Sequence, residues 1–346
     1  FTAGRMVLSA FASFPGLRSW CESGKPAEIS LMTGANITLH SRNGQLSLTG
    51  YCQTEPMNMP VRPKTGKLSG DFRRSWRGVD YFGEFAWDFS GKSPGAILGA
   101  VFPLGGDWKL SSAVHSYSSS FGSDYTGGIR GWTKTSDEHG VAIGLEKSGA
   151  FLTADLALKD GDRSKRQVRV LFKLPLQLTG TSVLSIRITE RFRPYEEVLR
   201  YRTGARCDLD WSSSGLSARY GPSDKPAWKI RGRLEGLLCR SLAGLAYLEG
   251  GRKTDWFSAY LRGTIFIVDN WDDRIYSYER DAPGNFTVPA YYGRGWSLSA
   301  VSGCKLRLGR GRALKLYFRA STMAYSFMKE PKPSVSEAKA QAVVMF

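Results

Sequence analysis

Short segments in which apolar and polar side chains alternate residue by residue constrain this chain more than any other feature. In Trp228–Leu238, apolar or small residues hold every even position. The odd positions of the same segment are mostly charged: Lys229, Arg231, Arg233, Glu235 and Leu237. Because successive side chains of a β-strand point to opposite faces, this pattern predicts a strand with one apolar face and one charged face.

The same alternation recurs in roughly eighteen to twenty segments along the chain. Clear further examples begin at Val79, Leu184, Cys207, Phe257 and Leu314. Short turn signals join many of the segments, Asn43-Gly44 and Ser148-Gly149 among them. Longer polar connections separate others, at 54–65, 118–138, 193–202, 221–226, 281–293 and 328–336. The pattern therefore predicts an antiparallel meander with short turns at one end and longer loops at the other.

Few water-soluble folds accommodate an antiparallel meander of this size. Propellers need a repeat of about 40–50 residues, which the chain lacks, and no Pro/Gly/Ser-rich linker divides it into smaller sandwiches. A wide barrel cannot fill its interior with side chains, so its apolar faces must point outward into lipid. We therefore predict an all-β fold, an antiparallel up-and-down transmembrane β-barrel of roughly 16–20 strands. The chain contains no run of eighteen apolar residues, so the sequence predicts no membrane-spanning helix.

The last segment and the aromatic content favour the outer membrane of a Gram-negative bacterium. Small and apolar residues alternate with polar ones from Glu337 to Phe346, and a terminal aromatic on such a strand resembles the signal read by the outer-membrane assembly machinery. The ten Trp and fifteen Tyr residues fit aromatic girdles at the two membrane interfaces.

The first thirty residues are ambiguous. Met6–Phe11 fits either a strand or a short helix. The expected organisation is an N-terminal segment over 1–30, acting as a first strand, a plug or a lumen segment, followed by a transmembrane barrel over 31–346.

A formal net charge of +17 at first suggests a polyanionic partner. The basic residues are nevertheless spread along the polar faces of the strands, and no RRM, KH or helix-turn-helix pattern is present, so no nucleic-acid partner is expected. We expect the charge to line a lumen, where it either favours anions or pairs with carboxylates on neighbouring strands, or to contact lipid phosphates at the rims. The lumen-lining candidates are Arg187, Arg206, Asp208, Lys229, Arg231, Arg233, Glu235, Arg262, Lys315 and Arg319.

Candidates for catalysis or metal binding are weak. His40, His115 and His139 are far apart in sequence, and serine is too common for a neighbouring serine to identify a Ser-His-Asp site. Carboxylates cluster without EF-hand spacing at Asp269, Asp272, Asp273, Glu279 and Asp281. The five cysteines form no CxxC or Cys/His cluster, although Cys21 and Cys52 are able to pair in an exported chain. We expect no catalytic residue, no metal and no cofactor.

One stretch is distinctive enough to suggest a family. Arg274–Asp281 followed by Phe286–Gly295 resembles the C-terminal barrel region of Bacteroidota outer-membrane proteins that are often catalogued as helix-hairpin-helix-domain proteins. The 306–319 hairpin and Val79–Ala86 look similar to the same family, whereas the helix-hairpin-helix module is absent from these residues. The resemblance implies a transmembrane barrel without a settled biochemical activity.

The expected function is that of a non-enzymatic, porin-like outer-membrane barrel, acting as a pore or as a subunit of an envelope transport or assembly complex. Its expected partners are outer-membrane lipid, lipopolysaccharide and other envelope proteins. Two alternatives stay open: a barrel-embedded lipid hydrolase, and a soluble basic β-protein that binds nucleic acid.

Overall fold

The fold consists almost entirely of β-strands. The computed structural model describes residues 5–13, 31–54, 63–122, 128–132, 135–197, 199–213, 227–309, 312–326 and 332–345. Cys21, and with it the question of a Cys21–Cys52 pair, lies outside the described residues, while Cys52, Cys207, Cys239 and Cys304 are free thiols.

Twenty strands follow one another within the described residues. They are β1 (Met6–Ser13), β2 (Met32–Ser41), β3 (Gly44–Thr54), β4 (Pro63–Trp76), β5 (Val79–Asp88), β6 (Ser93–Gly105), β7 (Trp108–Tyr117), β8 (Glu138–Lys147), β9 (Ala150–Leu158), β10 (Arg166–Thr179), β11 (Ser182–Phe192), β12 (Tyr201–Ser212), β13 (Ala227–Leu238), β14 (Leu242–Lys253), β15 (Phe257–Val268), β16 (Ile275–Tyr276), β17 (Ala290–Tyr291), β18 (Gly293–Gly309), β19 (Arg312–Tyr325) and β20 (Lys332–Met345).

Eighteen of these strands, β1–β15 and β18–β20, belong to one sheet, and β16 and β17 form a separate two-stranded ladder. Chain neighbours pair antiparallel, as β1 does with β2 and β18 does with β19. The predicted all-β antiparallel fold is confirmed, and its strand number falls in the predicted range. Met6–Ser13 is a strand paired along its whole length with β2, rather than a helix.

Among the residues that the structure describes, helical structure is confined to one short 3-10 turn between β15 and β16, at Trp271–Asp273. Within the described part of the chain, no helix has the length and apolar character needed to cross a bilayer.

The chain divides into two compact units. The first unit contains residues 1–170 and 193–195, and the second contains residues 171–192 and 196–346.

In the first unit, the connections at one end of the strands span only two residues, at 42–43, 77–78, 106–107 and 148–149. Connections at the opposite end are longer and reach twenty residues between β7 and β8, at 118–137. The predicted difference between the two ends is therefore confirmed in this unit.

The second unit keeps the same alternation with two exceptions, one of which is the three-residue connection between β13 and β14, at 239–241, on the end that otherwise carries the longer loops. Two-residue and three-residue turns join β10 to β11 and β14 to β15, while the opposite end carries the longest connection of the unit, between β15 and β18. The stretch between β12 and β13, residues 213–226, is long although it falls on the short-turn end.

Turn chemistry explains two of the tight hairpins. At both Arg77-Gly78 and Ser148-Gly149 the two central residues have positive φ, of 50° and 80° in the first turn and 50° and 83° in the second. Two consecutive positive φ values define the type I′ turn, whose twist matches that of the flanking strands. Glycine at the second position adopts this conformation without a steric penalty.

Burial in the second unit is the reverse of that in a water-soluble protein. Leu234 and Leu248 are 65% and 64% exposed, whereas Arg262 and Arg319 are each only 3% exposed. Side chains that lie directly opposite each other on paired strands share a face of the sheet. Leu234 lies opposite Cys207 on one side and Ala246 on the other, so apolar and small residues share its face. The exposure of leucines is therefore a property of the whole face.

The first unit shows the same inversion. Leu46, Phe85 and Ile143 are more than half exposed, while Glu138 and Gln167 are completely buried. In both units, therefore, the alternation read from the sequence produces one exposed apolar face and one polar face on which charged groups are buried.

Candidate functional site

The polar face of the second unit carries all ten residues that the sequence nominated as lumen-lining. The registers link them row by row: Arg187 lies opposite Arg206, and Arg206 lies opposite Glu235. Asp208 lies opposite Arg233 in the next row. The remaining members share this face by strand alternation, namely Lys229, Arg231, Arg262, Lys315 and Arg319. Their role in lining a lumen stays a prediction.

Several charges on this face are paired with carboxylates of the same or a neighbouring strand, and pairing is one of the three alternatives left open by the sequence. Asp208 accepts hydrogen bonds from the Nε atoms of Arg206 and Arg233, both at 2.6 Å. Arg231 Nε lies 2.9 Å from Asp210 Oδ1. Carboxylates bridging two guanidinium groups build an ordered lattice in which each arginine is held in a fixed orientation.

The connection between β15 and β18 lies over this polar face. We refer to residues 269–292 as the covering segment. Its backbone carbonyls accept hydrogen bonds from arginines of the sheet: Arg202 Nη1 donates to Asp272 O at 2.8 Å, and Arg262 Nη1 donates to Tyr278 O at 2.6 Å. Arg262 Nη2 also donates to Ser277 Oγ at 2.7 Å.

Side chains of the covering segment form buried ion pairs with the sheet. Glu279 Oε2 lies 2.6 Å from Arg319 Nη2, and both side chains are about 97% buried. Glu279 Oε1 accepts a hydrogen bond from the Tyr291 hydroxyl at 2.5 Å. Arg280 Nε pairs with Glu249 of β14 at 2.6 Å. Loss of either partner of such a pair would strongly destabilise the fold, because burying an unpaired charge costs several kcal/mol of folding free energy.

Apolar packing fixes the ends of the covering segment. Ile275 and Tyr291 are almost completely buried against Phe266 and Val268 of β15 and Leu245 of β14. The rings of Phe266 and Tyr291 lie 5.1 Å apart between centroids, in a tilted arrangement that favours aromatic pairs. The segment is therefore an integral part of the folded unit.

These contacts, and those of Asp269, shift the pKa values of titratable side chains in the covering segment. Burial alone would raise the pKa of the Asp281 carboxyl, but hydrogen bonds from Thr287 and the Ala282 N–H, together with the Lys339 charge, hold that pKa below its ordinary value. A hydrogen bond from Arg294 lowers the pKa of Asp269. Burial, reinforced by the neighbouring Glu279 charge, raises the pKa of the Tyr291 hydroxyl. Both carboxyls therefore remain ionised at neutral pH.

The acidic residues clustered in sequence do not converge on one point. Asp273 accepts hydrogen bonds from the backbone N–H groups of Arg240 and Ser241, at 2.9 Å each. Asp269 pairs with Arg294, and Glu279 pairs with Arg319. Across the described residues, no group of three or more His, Cys, Asp or Glu side chains is placed to hold a metal ion.

The first unit has its own buried polar centre beneath the connection 118–137. Glu138 Oε1 lies 2.7 Å from His115 Nε2 and accepts a hydrogen bond from Gly131 N at 2.5 Å. Glu138 Oε2 accepts a second one from Trp132 N at 3.2 Å. Gln167 Nε2 donates to Gly131 O at 2.8 Å. His115, considered for catalysis from the sequence, thus pairs with the carboxylate of Glu138, which holds Gly131 and Trp132 on the polar face.

His139 has a different environment, on the apolar face. It lies opposite Ser116 in the β7–β8 pair, and its Nδ1 is 2.9 Å from Ser116 Oγ. Its Nε2 is 3.0 Å from Asp160 Oδ1. The hydrogen bond from His139 lowers the pKa of Asp160. His40 lies elsewhere, opposite Gln45 in the β2–β3 pair.

Sequence reasoning missed several partners of the buried network, above all Glu249, Arg280, Tyr291 and Arg202. A signal for the first three existed, since Arg280 and Tyr291 fall inside the distinctive stretch 274–295 and Glu249 sits at a polar position of its strand. Nothing in the sequence marks Ser116, His139 and Asp160 as neighbours, because they come from two strands and a loop.

Comparisons with known proteins leave the family open. No family model matches the chain, and no curated protein matches it significantly. Among solved structures, it is similar to the crystal structure of Pseudomonas aeruginosa OccK5 (OpdH), with a TM-score of 0.41 and 9% identity, over 99% of this chain and 96% of that one. Similarity at this level assigns the chain to no family, and the resemblance to the Bacteroidota barrels stays a prediction.

The buried Glu279–Arg319 pair should dominate the stability of the covering segment. Glu279→Gln leaves the Arg319 charge with only the half-exposed Glu337 as a carboxylate partner among its described contacts. We expect a loss of about 3–5 kcal/mol in the free energy of unfolding, measured by denaturant titration.

Asp269→Asn is the matched control, because its Arg294 partner is exposed and surface ion pairs contribute little. Equal losses in the two variants would contradict the importance given to the buried pair.

Proposed function

We propose that the chain forms a transmembrane β-barrel in the outer membrane of a Gram-negative bacterium, with the apolar face toward lipid and the polar face around a lumen. The single observation that carries the proposal is the reversed burial of both units, in which leucines are exposed while arginines and glutamates are buried. Water-soluble monomers rarely expose apolar patches of more than a few hundred Å². A barrel in lipid requires this distribution, because only hydrocarbon accepts a continuous apolar face.

Within such a barrel, the covering segment would narrow the lumen on the side of β12–β15 and β18–β20. Its contacts with Arg202, Arg262 and Arg319 hold it on the polar face rather than outside the strand ends. A lumen narrowed by a fixed segment and lined by charged groups suits a selective, non-enzymatic pore. The same features suit a subunit of an envelope transport or assembly complex if a partner occupies the lumen. Outer-membrane lipid, lipopolysaccharide and other envelope proteins are the partners we propose.

The membrane-embedded barrel and the pore are tested in sequence. Detergent-extracted protein should migrate faster on a gel unheated than boiled, because a closed barrel resists detergent unfolding. Reconstituted in planar bilayers, the folded protein should give stepwise single-channel currents. Protein that stays soluble and monodisperse without detergent would contradict the membrane location. Folded protein without any current would contradict the pore and favour the subunit role.

A second candidate function, lipid hydrolysis, is favoured by the Ser116–His139–Asp160 contacts. The serine hydroxyl, the imidazole and the carboxylate are hydrogen-bonded in the order used by acyl hydrolases. Ser116 and His139 also lie on the apolar face, each two residues along its strand from Val114 or Val141, where ester groups of membrane lipid would be accessible. Ser116 Oγ would bond to the ester carbonyl carbon while His139 Nδ1 takes its proton and returns it to the departing alcohol; water then releases the fatty acid.

Ser116→Ala tests this candidate. If it holds, wild-type protein releases fatty acid from phospholipid micelles and the variant does not, because the nucleophile is gone. Ser112→Ala is the matched control, because Ser112 lies on the same face of β7, four residues before Ser116. Absence of fatty-acid release by the folded wild-type protein, or equal release by Ser116→Ala, would eliminate lipid hydrolysis.

A further inference from the structure

The covering segment and the polar face of β11–β13 line a half-open cavity of about 240 Å³. Its walls carry four arginines and one glutamate: Arg187, Arg202, Arg206, Arg274 and Glu235. We propose that this cavity binds the oxyanion group, carboxylate or phosphate, of a small anionic solute. The inference rests on the proposed pore, since it names the chemical class of solute that would pass or dock beside the covering segment.

Two of the arginines are held in place by neutral groups. Arg202 donates to the backbone carbonyls of Asp272 and Arg274, at 2.8 and 3.2 Å. Arg274 donates to the Tyr276 hydroxyl at 2.7 Å and to the Trp271 carbonyl at 2.9 Å. These contacts orient both guanidinium groups at the cavity without cancelling their charge. They are thereby pre-organised for an anion, which reduces the entropy lost on binding.

The third and fourth arginines lie directly opposite each other. Arg187 of β11 faces Arg206 of β12, and Glu235 of β13 follows in the same row. Like charges directly opposite on paired strands destabilise a sheet. Part of this repulsion is offset within the protein, because Asp208 accepts a hydrogen bond from Arg206 Nε. Arg202 and Arg274, whose described partners are neutral, would supply the bidentate geometry in which guanidinium groups match carboxylate and phosphate oxygens.

The size and walls of the cavity suit a small oxyanion group. A water molecule takes up about 30 Å³, so the space admits a carboxylate or phosphate with a few remaining waters. Gly204 lines the cavity without a side chain, and Ile275, which also lines the cavity, is buried. Charges in a recess that is partly shielded from bulk water attract each other more strongly than charges in open solvent, which favours anion binding by these arginines.

Arg274 is the critical residue for the test, since it belongs to the covering segment and closes the cavity. We would titrate folded protein in detergent micelles with inorganic phosphate and, separately, with acetate, in low-chloride buffer, and measure heat of binding. Wild-type protein should bind at least one of the two anions. Arg274→Gln should weaken that binding roughly tenfold or more, because a charge-assisted hydrogen bond is lost. Arg274→Lys should be intermediate, since it keeps the charge and loses the bidentate fork.

Arg231→Gln provides the matched control. Arg231 is on the same polar face of β13, pairs with Asp210 and does not line the cavity. Its removal lowers the net charge by the same amount and should leave anion affinity nearly unchanged. Heat-modifiable migration of each variant shows that it is folded.

The outcomes separate the anion site from the pore. No binding of either anion by folded wild-type protein, or equal weakening by Arg274→Gln and Arg231→Gln, would overturn the site even if single-channel currents are present. Selective loss in Arg274→Gln supports the site even if planar bilayers show no current, in which case only the proposed pore fails.

Discussion

The alternation of apolar and charged side chains along paired strands is the constraint on which the rest of this structure depends. Because side-chain direction has a period of two, a one-residue slip in any pair would move charged groups such as Arg233 to the apolar face and Leu234 to the polar one. The registers from β11 to β15 keep every row consistent. Consistent rows build the polar face, and the polar face in turn holds the covering segment.

Burial of arginine on that face needs specific compensation. Arg262 is nearly inaccessible, and its guanidinium is satisfied by Tyr278 O, Ser277 Oγ and the hydroxyl of Thr264. Its group also lies over the Tyr247 ring, with Cζ 3.6 Å from the centroid, so the charge is stabilised from the ring face as well. The covering segment and the sheet therefore depend on each other: without the segment, Arg262 would lose most of its acceptors.

Much of this arrangement could be predicted from the sequence because it is local. Alternation assigns Arg206, Lys229 and Arg319 to a face of the sheet without knowledge of any partner. The dipeptide Ser148-Gly149 likewise predicts the hairpin turn that is found there. The contacts that close the site depend on residues far apart in sequence. Arg202 reaches Asp272 and Arg274 across some seventy residues, and Glu138 receives its hydrogen bonds from a connection with no periodicity. Pattern analysis has no access to such pairings, which are set by the packing of a whole segment.

The most direct test of the central claim is the environment of single positions along β13. Spin labels placed one at a time at residues 229–236, in a background without the five native cysteines, would be measured in lipid bilayers for accessibility to oxygen and to a water-soluble nickel chelate. With the apolar face in lipid, accessibility should alternate with a period of two. Ile230, Gly232, Leu234 and Gly236 should be accessible to oxygen from the lipid, and Lys229, Arg231, Arg233 and Glu235 should be accessible to the chelate or shielded from both. Chelate access at the even positions equal to that at the odd ones would contradict it.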